Sequence, residues 1–159
     1  MNRRDKRSAL PILIFTAFIV VFLSANPAFS ASSDDKGPEK LEAEYDHETN
    51  PKKRLKLAVE LSDERLKEVR KAYDSEDTAK ETAELDKYLS AIDRLEGAAK
   101  EPGAGKSKDA EIHLRRQMRM LENIKMSASY SERGPLEKAA ARVTKLHEQV
   151  LYSILNPKK

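Results

Sequence analysis

Three histidines, one arginine cluster and one glycine-rich loop are where side-chain type and spacing could do chemistry in this chain of 159 residues. The histidines are His47, His113 and His147. A metal site inside a helical bundle would use Glu-x-x-His pairs, which project two ligands from one face of a helix. Glu111 stands two residues before His113, on a different face, and Thr144 occupies the place three before His147. Neither histidine completes the pair, and no His-Glu-x-x-His zinc motif is present. His147 nevertheless falls on an apolar stripe, and so does Gln117. A polar residue on such a stripe reads first as a hydrogen-bonded core group, with Gln117 or Tyr88 the expected partner of His147. The competing reading is a small-ligand or metal site in the helical interior near His147 and Gln117.

Gly103-Ala104-Gly105-Lys106-Ser107 matches the end of a phosphate-binding P-loop, but Lys100 stands where that motif requires glycine. An amphipathic helical pattern precedes it where the motif needs a strand. The expectation is therefore an interhelical loop, with Ser107 as the N-cap of the next helix. Glu64, Glu68, Glu84 and Glu96 lie at solvent positions beside lysines and arginines, and no two carboxylates form a dyad. Ser62 lies on a core stripe and is expected to bond back to its own helix. With no cysteine and no Gly-x-Ser-x-Gly elbow, the chain offers no nucleophile–base pair. The expectation is a protein without catalytic residues, cofactor or metal.

Arg115, Arg116 and Arg119, with Lys106, Lys108 and Lys125, form the most basic stretch. The ordinary reading is a solvated face of ion pairs, and the sharper one is a contact surface for an acidic partner or an anion. Aromatic side chains for stacking on bases are missing there, which argues against nucleic acid. Overall charge agrees. Of 30 lysines and arginines, four lie in residues 1–30 against one of the 27 acids, so the remainder is balanced and the net charge of +3 belongs to that first segment.

The elements that must position these residues are helical. Beyond Pro51, apolar residues recur at three-and-four spacing in four stretches. The first holds Leu55, Val59, Leu66 and Val69, and the second Leu85, Tyr88, Ile92 and Leu95. The third holds Leu114, Leu121 and Ile124, and the fourth Leu136, Val143, His147 and Val150. Asn50-Pro51, Thr78 with Glu81, Ser107 and Pro135 mark the starts of these helices. The expected fold is all-α: an antiparallel up-down four-helix bundle of two hairpins over residues 51–156, with helices near 52–74, 77–99, 108–128 and 135–155. Two copies of the chain would satisfy the same stripes, so a homo-oligomer is compatible with the pattern.

Two segments precede the bundle. Residues 1–30 combine Arg3, Arg4, Lys6 and Arg7 with the uncharged run Ile12–Ala25 and the small-residue pattern Ala28-Phe29-Ser30. That is the plan of a secretory signal peptide cleaved after Ser30 or Ala31. The run is shorter than the roughly 20 apolar residues of a membrane span, so an uncleaved tether to the inner membrane is the second reading. Residues 31–50 are acidic, and the expectation is a flexible, disordered acidic arm with at most a short helix near Leu41–Tyr45.

The run Arg54–Leu66 (RLKLAVELSDERL), then Ala72-Tyr73 and Leu85–Leu89 (LDKYL), resembles a recurring group of exported helical proteins of environmental bacteria. Leu114–Gln117 (LRRQ) and Leu121-Glu122 extend the resemblance over most of residues 52–155. It implies an exported helical architecture and no particular chemistry. The Leu-Thr-x-x-Gln repeats of periplasmic helical chaperones do not occur, and small residues do not recur at the 34-residue period of tetratricopeptide arrays. The expected role is that of an exported, periplasmic or secreted protein without enzymatic activity, acting on a protein partner of the cell envelope. Its contact surfaces would be the acidic arm and the Arg115, Arg116 and Arg119 face.

Overall fold

Helix-start chemistry in this chain is local and strong, and it sets the element boundaries. The computed structural model describes residues 36–75, 77–105 and 108–156, and the signal segment of the sequence reading lies outside them. The described residues form helices α1 (Pro38–His47), α2 (Pro51–Asp74), α3 (Thr78–Lys100), α4 (Lys108–Ser127) and α5 (Arg133–Leu155), with a 3₁₀ turn at Tyr130–Glu132 and no strand. Pro51 opens α2, and the Asn50 side chain accepts from the backbone N–H groups of Lys52 and Lys53. The missing N–H of proline costs nothing there, because the first helical donors have no partner within the helix.

Two expected helix starts are corrected, and α3 ends within one residue of the expected place. Asp77, not Thr78, caps α3 by accepting from the Lys80 N–H at 3.2 Å, and Glu81 is buried. A carboxylate one residue earlier does the work assigned to the Thr78–Glu81 box. Helix α3 continues through Gly97 to Lys100, and the chain turns at Gly103 and Gly105, whose φ angles of +88° and +78° favour glycine. Pro135 sits in the first turn of α5 rather than at its start. The 3₁₀ turn before it closes when the Glu132 carboxylate accepts from the Ser129 N–H at 2.9 Å. Ser107, the expected cap of α4, lies outside the described residues.

The stripes converge on one hydrophobic cluster. It includes Leu55, Leu66 and Val69 of α2, Leu85, Tyr88, Ile92 and Leu95 of α3, Leu114, Leu121 and Ile124 of α4, and Leu136, Val143, Leu146 and Val150 of α5. Helix α2 packs on both α3 and α4, and α5 packs on both α4 and α3. Polar pairs join opposite ends of consecutive helices. Arg54, in the first turn of α2, meets Glu101 just past α3 at 2.8 Å. Glu111, early in α4, meets His147 late in α5 at 2.9 Å. No helix among the described residues is long and apolar enough to cross a membrane.

The acidic arm is the main correction, since the short helix expected near Leu41–Tyr45 is longer and docked. Over Pro38–His47 the arm is helix α1, seated on α2 with Leu41 and Tyr45 buried. Acidic composition argued for solvation, but two apolar residues at i and i+4 suffice to dock one turn-pair of helix when cations wait on the receiving surface.

Candidate functional site

Helix α4 carries His113, Gln117 and the arginine cluster, and it presents its polar side chains in three directions. Toward α2 and α3 it turns Gln117, which is 1 % exposed. The Gln117 Oε1 accepts from the Tyr88 hydroxyl at 3.0 Å, and its Nε2 donates to Ser62 Oγ at 2.8 Å and to Asp63 Oδ1 at 2.6 Å. The Ser62 hydroxyl donates to the Val59 carbonyl at 2.9 Å, the backbone bond expected of it. The other Asp63 oxygen meets His113 Nδ1. Both amide protons and the amide oxygen of Gln117 are thus engaged, and three helices are tied in one register. Burial pushes the Tyr88 hydroxyl well above its ordinary pKa of 10.0, with the Asp63 carboxylate adding to the effect, so it remains a donor.

Toward α5, α4 turns Glu111. Its Oε1 lies 2.9 Å from His147 Nε2 and 3.1 Å from Arg115 Nε. A carboxylate held by two donors favours its charged form, and the hydrogen bond from His147, followed by that from Arg115, lowers the Glu111 pKa below 4.5. The partner of His147 is therefore Glu111, not Gln117 or Tyr88. Gln117 and His147 belong to separate networks, one reaching α2 and α3 and the other reaching α5. Neither network gathers three histidine or carboxylate groups, and no such group of potential metal ligands occurs among the described residues.

Toward solvent, α4 presents Arg115, Arg116 and Arg119, all exposed. They are not equivalent. Arg115 is bound to Glu111, whereas Arg116 and Arg119 form no ion pair among the described residues. The nearby Glu122 pairs with Lys125 at 2.7 Å. Arg116 borders a groove of about 240 Å³ between α2 and α4, lined also by Asp63, Leu66, Lys67 and Met120. Met120 links it to a second groove of about 250 Å³ with Arg70, Asn123 and Ile124.

Sequence reasoning missed Arg65 and Glu111. Arg65 is 6 % exposed and binds Glu39 at 3.0 Å and Glu42 at 2.8 Å, so the acids of α1 serve this arginine and Arg94 rather than the face of α4. The available signal was the spacing of Arg65 from Leu61 and Val69, four residues to either side, which places a cation on a dry stripe. Glu111 follows Ala110 and precedes Leu114, and that spacing puts it at the edge of the buried face. Compared with known protein families, curated proteins and solved structures, the chain finds no match.

Proposed function

We propose that this is an exported, non-enzymatic helical protein that acts by protein–protein contact in the cell envelope, with the Arg116–Arg119 face of α4 as the contact surface. In this reading α2 to α5 form an antiparallel up-down four-helix bundle, and the apolar segment Ile12–Ala25 belongs to a secretory signal. The observation that carries the contact surface is the contrast among the three arginines. Arg115 is held by Glu111, while Arg116 and Arg119 stand exposed without an ion pair among the described residues, and Arg116 lines the groove that Met120 shares with its neighbour. Exposed guanidinium groups and a thioether beside an apolar indentation are side chains enriched where proteins meet. The complementary partner surface is acidic.

The test separates these arginines. Arg116→Glu with Arg119→Glu reverses two charges that form no ion pair among the described residues, so helicity and thermal midpoint stay unchanged while crosslinking to the envelope partner is lost. Arg115→Glu would also disturb the Glu111–His147 pair and is left out of the design for that reason. Undiminished crosslinking by the double variant would remove this face from the account.

A further inference from the structure

We propose that the groove between α2 and α3 is a second interaction surface, that it takes an acidic amphipathic helix, and that α1 is the resident occupant which a partner helix displaces. This surface is distinct from the face of α4, so either assignment can fail without the other.

The occupant defines what the groove recognises. Leu41 packs in a small cluster with Leu61 and Ala91, against Leu57. Tyr45, one turn on, donates its hydroxyl to the Arg94 carbonyl at 3.2 Å, while the Arg54 guanidinium lies 4.7 Å from its ring centroid. Between these anchors Glu42 accepts from both Arg65 and Arg94, and Asp46 lies 3.7 Å from Arg94. The groove therefore reads Leu-Glu-x-x-Tyr-Asp on one face of a helix. Two apolar anchors at i and i+4 fill it, and acids at i+1 and i+5 meet a row of arginines.

Three observations make α1 a removable occupant rather than a fixed wall. Leu41 lies outside the main hydrophobic cluster, to which α1 contributes only Tyr45. The hinge Glu48–Asn50 satisfies itself, since the Glu48 carboxylate accepts from the Thr49 and Asn50 N–H groups and Asn50 caps α2 with α1 docked or not. Finally, α1 has 10 residues, too short to persist as a helix in water alone, so it folds only while docked. The short tether gives α1 an effective concentration of order mM, which a partner helix must exceed.

The probe is a fluorescent peptide of residues 36–50, titrated into the full chain and read by anisotropy. Wild-type protein should bind it about a hundredfold more weakly than a variant with Leu41→Asp and Glu42→Arg, whose own α1 no longer fits. A peptide carrying those two substitutions should bind neither protein. Should the double variant lose its helicity, Glu42→Gln alone supplies the opened protein, with a smaller but still measurable gain. In wild-type protein, amides of α1 should exchange with deuterium ahead of those in the middle of α2 and α3. Failure of the folded opened variant to bind the peptide, equal binding to both proteins, or α1 protection equal to that of α2 would each overturn the proposal.

Discussion

Gln117 shows how a buried polar residue is made safe in this chain. Its three hydrogen-bonding sites are filled by Tyr88, Ser62 and Asp63, so truncation strands groups on two neighbouring helices at once. Leaving buried donors and acceptors unpaired costs about 1–3 kcal/mol, and Gln117→Ala should lower unfolding stability by at least that amount in urea titrations. That Gln117 would be engaged in the core was legible from its place on an apolar stripe. Its partners in α2 were not, because periodicity within one helix says nothing about which residues 54 or 55 positions away will face it. The acids of α1 support a second residue-scale expectation. The hydrogen bond from Arg94, helped by that from Arg65, lowers the Glu42 pKa below 4.5. A carboxylate depressed in the folded state contributes stability above its unfolded pKa and loses it as pH falls through the folded value. Docking of α1 should therefore be complete at neutral pH and fail on acidification below about pH 4.5, which amide chemical shifts of residues 38–47 would follow. Chemical shifts that stay constant down to the global acid transition would contradict it.

Among the elements, α1 and the four longer helices differ in kind. The longer ones were readable because each repeats its apolar spacing over five or six turns, and α2 also begins at a recognisable Asn50-Pro51 start. Of α1 only a short helix near Leu41–Tyr45 was readable; its docking escaped because acidic composition outweighs two apolar residues in any averaged reading, and because its arginine partners lie in α2 and α3. Energetics should separate the two kinds. Leu121→Ala, in the main cluster, should cost about 2–5 kcal/mol of global stability in denaturant titrations. Leu41→Ala should raise deuterium exchange in α1 while leaving exchange in the middle of α2 and α4 at the wild-type rate, since local undocking limits its cost. A Leu41→Ala variant that loses protection throughout would make α1 part of the cooperative core.

For the whole molecule, charge and burial point outward. The described buried polar groups of α4 are engaged by α2, α3 and α5, while Arg116 and Arg119 face solvent without ion-pair partners among the described residues. The proposal of export adds a direct expectation: mass spectrometry of the protein from the producing cell should give a mature chain that begins after Ser30 or Ala31. A chain retained intact in the membrane fraction would favour a tether instead. The central claim, contact through the basic face of α4, is tested most directly by placing a photocrosslinking amino acid at position 119, with position 138 on α5 as the control. Irradiation in the cell should give one discrete adduct with another protein from position 119, none from position 138, and none from position 119 once Arg116→Glu is added. Adducts of equal yield from both positions, or an adduct at 119 that survives Arg116→Glu, would contradict the claim.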